Sequence, residues 1–234
     1  MKAVRKLSHT FGLLGFKRSA WFAGQLLKRP NPAHVWNEDP DFLKLYEQAE
    51  PRTVTDQKRC FLLYQLARSV SPLEGDFAEI GVYRGGTAFL LGRLADQQKK
   101  TLHLFDTFEG MPETDEEKDF VRKGDFADTC LESVQSYLKD IASCEYHPGL
   151  FPATADPVKE KRFSFVHVDV DMYQSVLDCC DFFHQRLAPG GVMVFDDYGF
   201  ITTEGARKAV DEHFRGGETT PIYSPTGQSF VIGH

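Results

Sequence analysis

The chain has 234 residues, of which 41% are hydrophobic and 26% charged, so its length and composition are those of a globular domain with an additional segment. This composition excludes a wholly disordered or fibrous protein. No stretch approaches the roughly 20 consecutive apolar residues of a membrane span. Residues 1–37 contain seven Lys/Arg and no acid, whereas the rest has 20 basic and 34 acidic residues, a net charge of −14. Because phosphate contacts need a basic face, nucleic acid is not an expected partner.

The cysteines are odd in number and include no Cys-x-x-Cys pair, a pattern that favours reduced, mostly buried thiols over a disulfide framework. We therefore expect a cytoplasmic protein. The five residues are Cys60, Cys130, Cys144, Cys179 and Cys180.

Residues 6–27 mix leucine and aromatic residues with basic ones, and three interpretations stay open. The segment could be a helix that packs on its own domain or on a second subunit of a homo-oligomer. It could also be a basic amphipathic helix at a membrane surface, or a targeting sequence, although Lys17 and Arg18 interrupt the apolar run. Prolines 30, 32 and 40 mark a boundary, so we predict a basic helical arm at 1–40 and the main domain at 41–234.

From residue 41 onward, helical and strand-like segments alternate. Helical spacing of apolar residues predicts helices at 41–48 and 56–69, the second capped by Asp56. Predicted strands at 77–81, 101–105, 163–170 and 191–195 are separated by predicted helices at 87–97, 131–139 and 173–187. After a helix at 204–214, segments 220–223 and 228–232 flank Ser-Pro-Thr-Gly and predict a hairpin. This order predicts a doubly wound, mostly parallel α/β sheet with helices on both faces and an antiparallel strand at one edge.

Acidic residues accumulate where the predicted strands end, and ligands of open α/β sheets bind beyond these ends. The first strand leads into a Gly-x-x-x-Gly-Gly turn at 81–86, which differs from both the Gly-x-Gly-x-x-Gly and the Walker patterns. Such a turn lets the backbone approach a ligand closely, and Asp106 after the next strand suits two ribose hydroxyls. The pair indicates a site for an adenosine-containing cofactor, with a plain structural turn as the alternative.

A second set of carboxylates follows two later strands. Asp169, Asp196 and Asp197, with no His or Cys at metal-ligand spacing, indicate a hard cation such as Mg²⁺. Asp171 could point into the same pocket and take a proton from a hydroxyl whose acidity the metal has raised. The alternative is that two of these side chains, Asp171 and Asp197, only cap the segments that follow them.

Five stretches together resemble the macrocin-type (TylF/MycF/NovP-like) S-adenosylmethionine-dependent sugar O-methyltransferases, from about Arg52 to the end of the chain. The most specific are Phe-Asp-Thr-Phe-Glu-Gly-Met-Pro at 105–112 and the pair Asp-Val-Asp-Met-Tyr at 169–173 and Asp-Asp-Tyr-Gly at 196–199. Two further stretches are residues 53–59 and 77–87, and the stretch that contains 196–199 leads into 207–214.

The resemblance implies a Rossmann-like class I methyltransferase fold with seven strands, the last antiparallel. It also implies roles for particular residues. The implied cofactor contacts are Thr55, Glu79, Gly81, Tyr83 and Thr87, with Asp106 on the ribose; the implied Mg²⁺ ligands are Asp169, Asp196 and Asp197. Asp171 corresponds to the proposed general base. Some members are proposed to use a histidine instead, for which His147 and His167 are the candidates.

The function that follows is Mg²⁺-dependent transfer of a methyl group from S-adenosylmethionine to one hydroxyl of a vicinal diol on a sugar. The acceptor would be a glycoside, a nucleotide sugar, a glycan or another natural product. One alternative is a catechol-type O-methyltransferase, which also uses Mg²⁺ and two oxygens but accepts aromatic diols. Another is a non-catalytic, cofactor-binding interaction protein that has kept the fold.

Overall fold

The computed structural model describes residues 35–115 and 117–234. The chain divides into two compact units, Met1–Asp39 and Pro40–His234. The described part of the first unit begins with a 3-10 turn at Val35–Asn37. Apart from these few residues, the predicted arm lies outside the described residues, and its three interpretations stay predictions.

The described residues of the second unit form alternating helices and strands. The helices are α1 (Pro40–Ala49), α2 (Gln57–Ser69), α3 (Gly86–Gln98), α4 (Leu131–Tyr137), α5 (Tyr173–Phe183) and α6 (Glu204–His213). The strands are β1 (Asp76–Ile80), β2 (Leu102–Asp106), β3 (Cys144–Pro148), β4 (Phe163–Val168), β5 (Leu187–Phe195), β6 (Ile222–Tyr223) and β7 (Ser229–Ile232).

The strands form one seven-stranded sheet in the order β3-β2-β1-β4-β5-β7-β6. Strands β1 to β5 are parallel, and β7 runs antiparallel to both β5 and β6. The predicted α/β class, with its antiparallel edge, is confirmed. The strand order reverses between β1 and β4, the place where open α/β sheets form a ligand crevice.

Buried apolar side chains cover both faces of this sheet. On one face, Phe105 and Phe163 pack with Phe183 of α5, in a cluster that also includes Val210 of α6. Helices α2 and α3 contact strands of the sheet as well. Burying each large apolar side chain contributes about 1.5–3 kcal/mol, so this core holds the strand ends, and the acids on them, in fixed positions.

Two local features were predicted from the sequence and agree with the structure. The Asp56 carboxylate accepts hydrogen bonds from the backbone N–H groups of Lys58 and Arg59 at 3.0 Å each, so it caps α2. Gly81 has φ +89°, and a Cβ there would lie 1.8 Å from the carbonyl oxygen of Asp169. Only glycine permits this approach, which brings the turn after β1 against the end of β4.

One strand was missed, and the ends of several elements differ from the prediction. Strand β3 was missed, because Cys-Glu-Tyr-His-Pro at 144–148 is a partly exposed edge strand without an apolar run. The helix predicted to reach residue 187 ends at Phe183 and is followed by a 3-10 turn. Strand β5 begins at Leu187, four residues earlier than expected, because Leu187 pairs with Phe163 of β4.

All five cysteines are free thiols in the structure, three of them buried. Of the helices in the described ranges, none combines the length and the apolar composition that a membrane span requires.

Asp76, the first residue of β1, ties three neighbouring segments together. Its carboxylate accepts hydrogen bonds from Lys161 Nζ (2.8 Å), from Thr101 N (3.1 Å) and from His103 Nε2 (3.2 Å). Burial by itself raises the pKa of Asp76, but the hydrogen bonds from His103, Lys161 and Thr101 outweigh it and lower the pKa well below the usual range. The ionised carboxylate therefore stabilises the folded state.

Asp76→Asn should lower the free energy of unfolding at pH 7 by about 2–3 kcal/mol, the range of a hydrogen bond to a charged group. Because the folded pKa is depressed, this stabilisation exists above the unfolded-state pKa of about 3.9 and disappears as the pH falls below it. Urea denaturation in the presence of EDTA, at pH 7 and at pH values near 4 and below, measures the difference. Asp156→Asn, which removes only an exposed contact with Lys159, is the control. A loss in the free energy of unfolding that stays the same over the whole pH range would contradict this role for Asp76.

Candidate functional site

A cleft opens at the carboxyl ends of β1, β2 and β4, where the strand order reverses. The site residues predicted from the sequence that line it are Gly81, Tyr83, Thr87 and Asp106, which stand at or after the ends of β1 and β2, and Asp169 and Asp171, which follow β4. The glycine turn and the acids that follow β4 therefore face one common space.

Asp106 connects the end of β2 to the glycine turn. Its Oδ2 accepts hydrogen bonds from the backbone N–H groups of Val82 (2.6 Å) and Tyr83 (2.9 Å), and its Oδ1 accepts one from Phe108 (2.7 Å). An ionised carboxylate has about four lone-pair sites. Three of these sites are used by the turn, so one remains on Oδ1 for a ligand hydroxyl in the cleft; Thr107 Oγ1 also lies 3.5 Å from this oxygen.

The turn itself is held from its outer side. Tyr83 adopts a left-handed backbone (φ +51°), and its hydroxyl donates to Asp128 Oδ1 at 2.8 Å. Asp128 also forms an ion pair with Arg84, and Thr129 donates a hydrogen bond to the carbonyl oxygen of Tyr83. These contacts stabilise a conformation that is rare for a residue other than glycine.

Thr55 and Glu79 are fully or almost fully buried and are absent from the residues that line the cleft. Thr55 Oγ1 has no hydrogen-bond partner among the described residues. Glu79 Oε1 accepts a hydrogen bond from His167 Nδ1 (3.0 Å), whereas no described group bonds to Oε2. Buried polar atoms are nearly always hydrogen-bonded, so these two oxygens have unused capacity beside the cleft.

Asp196 is the most strongly neutralised member of the carboxylate cluster, which we define as Asp169, Asp171, Asp196 and Asp197. It is fully buried and forms an ion pair with Arg59 through Oδ2. Its Oδ1 accepts hydrogen bonds from Gln228 Nε2 (2.6 Å) and His167 Nε2 (3.4 Å). The pKa of Asp196 is lowered, because these hydrogen bonds and the positive charges outweigh the effect of burial.

His167 lies between two buried carboxylates, Glu79 and Asp196. Burial by itself lowers the pKa of His167, but the hydrogen bonds to Asp196 and Glu79 raise it to about 10. Its ring is therefore a cation that donates from both nitrogens. His147, the other histidine considered as a base, lies on β3 and is not among the residues that line the cleft.

The remaining acids of the cluster repel one another. Burial and the neighbouring carboxylates raise the pKa values of Asp169 and Asp197, and burial together with Asp196 raises that of Asp171 to about 6. Arg59 and His167 supply two positive charges near five carboxyl groups, counting Glu79. Such a set favours the binding of protons or of a divalent cation.

Of the three predicted Mg²⁺ ligands, only Asp169 and Asp196 lie close together, with His167 beside them. Each of these three residues has a ligand atom within 4.8 Å of a ligand atom of the other two, and Asp197 is not part of the group. Asp197 Oδ2 instead accepts a hydrogen bond from the backbone N–H of Asp171 (3.1 Å). Asp171 has φ +56°, a strained conformation that proteins retain mainly at functional sites.

Arg59 and Gln228 are the site residues that the sequence analysis did not identify. Arg59 stands in the first turn of α2, and its guanidinium also donates to the carbonyl oxygen of Val54 (3.1 Å). Gln228 directly precedes β7. Arg59 belongs to one of the motif stretches, 53–59, but its partner Asp196 is 137 positions away in the chain. No sequence signal marks Gln228.

Comparison with known proteins gives a consistent set of similarities. The profile of the macrocin-O-methyltransferase (TylF) family matches residues 51–224. The chain is 29% identical over 175 residues to 8-demethyl-8-(2,3-dimethoxy-alpha-L-rhamnosyl)-tetracenomycin-C 4'-O-methyltransferase of Streptomyces olivaceus, covering 68% of this chain and 66% of the relative. It is 29% identical over 155 residues to mycinamicin III 3''-O-methyltransferase of Micromonospora griseorubida, covering 59% and 60%.

The matched regions thus span about two thirds or less of the length of these two relatives. Among solved structures, the O-methyltransferase NovP superposes with a TM-score of 0.68 at 23% identity, over 78% of this chain and 82% of that one. This likeness shows a common fold.

Proposed function

Because the chain belongs to the macrocin-O-methyltransferase (TylF) family, we propose that it transfers a methyl group from S-adenosylmethionine to a hydroxyl of a sugar on a small molecule or glycan. The observation that carries the proposal is the single cleft that joins the glycine turn and Asp106 to Asp169 and Asp171. Methyl transfer to a hydroxyl requires the methyl donor and the base to lie beside the same acceptor oxygen. A cofactor site and a proton acceptor in one cleft meet this requirement.

The cofactor half of the cleft suits an adenosine-containing sulfonium. Asp106 retains one lone pair on Oδ1 for a ribose hydroxyl, and Gly81 lets the turn after β1 pack against the Asp169 backbone, which shapes the cleft. The unpartnered oxygens of Thr55 and Glu79 could accept hydrogen bonds from the ammonium group of the methionine part. S-adenosylmethionine supplies the activated methyl group, and the protein's contribution is to bind and orient it.

The other half provides a base. Asp171 lies at the cleft, and its pKa of about 6 leaves it mostly ionised at neutral pH. It can therefore accept the proton of an acceptor hydroxyl as that oxygen attacks the methyl carbon. Asp197 holds the backbone of Asp171, so the base is kept in one position.

The cluster also fits a divalent cation, since its oxygen donors are close and carry more negative charge than Arg59 and His167 neutralise. Asp169 and Asp196 would hold Mg²⁺, with Asp197 beside them. Bound there, Mg²⁺ would lower the pKa of the acceptor hydroxyl. Two neighbouring acceptor oxygens would then be bound together, which is the reason to expect a vicinal diol.

The test is calorimetric binding of S-adenosylhomocysteine with and without Mg²⁺, followed by methyl transfer from labelled S-adenosylmethionine. Because one relative is named for a reaction on a rhamnosyl group, the first acceptors are 6-deoxyhexose glycosides, each compared with an analogue that lacks one hydroxyl of the diol. Methylation that requires both hydroxyls supports the proposal. Transfer only to a catechol would favour the aromatic-diol alternative, and cofactor binding without any transfer would favour a non-catalytic protein.

Arg59→Gln should lower the free energy of unfolding of the metal-free protein by about 3–5 kcal/mol, because it removes one of the two cations that neutralise the buried charge of Asp196. The loss of this positive charge should also increase the stabilisation that Mg²⁺ provides. Urea denaturation of the variant and the wild type, each with and without Mg²⁺, measures both effects.

Arg84→Gln is the matched control, since the ion pair of Arg84 with Asp128 is exposed and its loss should have a much smaller effect. If Mg²⁺ stabilised the wild type and Arg59→Gln equally, Arg59 would have no influence on the metal site.

A further inference from the structure

A second group of potential metal ligands lies away from the cleft. His103 is on β2, and Glu145 and His147 are on the edge strand β3. In the parallel register His103 pairs with Glu145, and His147 follows two residues later. Because side chains alternate along a strand, all three point to the same face of the sheet. His103 precedes Asp106 by three residues, about 10 Å along the strand.

The ligand atoms of these three residues lie close together. His103 Nδ1 is 3.1 Å from His147 Nε2 and 3.4 Å from Glu145 Oε2. With metal–ligand bonds of about 2.0–2.2 Å, the ligand atoms of a tetrahedral zinc site are separated by about 3.3–3.5 Å. Small side-chain adjustments are thus sufficient to place a metal ion between them.

The orientation of His103 is that of a metal ligand. Its Nε2–H donates to Asp76 Oδ2 (3.2 Å), since an ionised carboxylate can only accept, and Nδ1 faces His147 Nε2 and Glu145 Oε2. Asp76 is itself held by Lys161 and Thr101. A carboxylate bonded to the second nitrogen of a ligating histidine is the usual outer partner in metal sites.

The rings are rigidly packed, but the site is open to solvent. The His103 side chain is fully buried, and the His147 ring stacks on Phe105 with a centroid distance of 4.4 Å. The Glu145 side chain is 57% exposed. An ion could therefore enter from the edge of the sheet, and the exposed side leaves room for a water as fourth ligand.

We propose that His103, Glu145 and His147 bind one transition-metal ion of the Zn²⁺ type, which links β2 to the edge strand β3. Two imidazoles and one carboxylate suit Zn²⁺ far better than Mg²⁺, which prefers oxygen ligands. His147 binds through Nε2 once its proton has moved to Nδ1 of the same ring. The site is structural, because it clamps the edge strand at a distance from the cleft.

The experiment is a calorimetric titration of the EDTA-treated, dialysed full-length protein with Zn²⁺, in excess Mg²⁺ to occupy the carboxylate cluster. The test variants are Glu145→Gln, His147→Gln and Asp76→Asn. The matched control is His213→Gln, because His213 and His184 form a similar pair (Nδ1 of His184 to Nε2 of His213, 3.1 Å), which is absent from the three-ligand groups in the described part of the chain. Urea denaturation without metal verifies that each variant is folded.

We expect one Zn²⁺ per chain in the wild type and in His213→Gln. Asp76→Asn should weaken binding about 10- to 100-fold, the effect of losing an outer carboxylate, and Glu145→Gln and His147→Gln by at least as much. Zn²⁺ should also raise the urea midpoint of the wild type but not of His147→Gln. The absence of a bound ion in the wild type would overturn the site. Wild-type affinity in folded Glu145→Gln and His147→Gln would also overturn it, as would an equal loss in His213→Gln.

Discussion

Asp171→Asn should lower kcat for methyl transfer by about 10²–10⁴, the usual contribution of a general base, while the affinity for S-adenosylhomocysteine stays unchanged. Asp171 lines the cleft after β4, whereas Asp106, the predicted ribose contact, lies at the end of β2. Asparagine removes the proton acceptor and keeps the size of the side chain. It also tolerates the left-handed backbone at this position (φ +56°) better than alanine would. The effect should therefore be chemical and not conformational.

The measurements are single-turnover methyl transfer, calorimetric binding of S-adenosylhomocysteine, and the Mg²⁺ response of the urea midpoint. Asp119→Asn is the matched control, because Asp119 contributes negative charge near Asp171 and caps α5 through the backbone N–H of Tyr173 (2.9 Å). It should leave kcat within a few-fold of the wild type. If Asp171→Asn retained the wild-type kcat, the base would have to be another group, and the proton-transfer step proposed above would be wrong.

Asp106→Ala should weaken the binding of S-adenosylhomocysteine at least 100-fold. One charge-assisted hydrogen bond to a ribose hydroxyl, worth about 1.5–3 kcal/mol, accounts for roughly 10- to 100-fold of this loss. In addition, the backbone N–H groups of Val82, Tyr83 and Phe108 lose their acceptor, so the glycine turn is no longer held in the shape that the cofactor requires.

Two comparisons separate these contributions. Asp106→Asn keeps one acceptor oxygen, so its affinity for S-adenosylhomocysteine should lie between those of Asp106→Ala and the wild type. Asp196→Asn should bind S-adenosylhomocysteine normally and respond less to Mg²⁺, because it alters the carboxylate cluster and not the turn. Wild-type affinity in folded Asp106→Ala would remove Asp106 from the cofactor site. Thermal unfolding of each variant shows whether lost binding reflects lost structure.

Much of the fold could be predicted because its signals are local. Apolar residues at a spacing of 3.6 mark the helices, short continuous apolar runs mark the central strands, and Asp56 caps α2 through bonds to residues two and three positions away. Edge strand β3 lacks such a signal, because only its pairing with β2 makes it a strand. This strand can be recognised only when its pairing in the sheet is known.

The sequence by itself determined the α/β class, the glycine turn, and which carboxylates stand at the carboxyl edge of the sheet, since parallel strands place their carboxyl ends together. Only the tertiary structure decided how those carboxylates are neutralised. Arg59 and His167 reach Asp196 from α2 and β4, and Gln228 reaches it from the segment before β7. Electrostatic and hydrogen-bond partners depend on distance in space. Residues 137 positions apart leave no periodic or spacing pattern from which such a pair could be predicted.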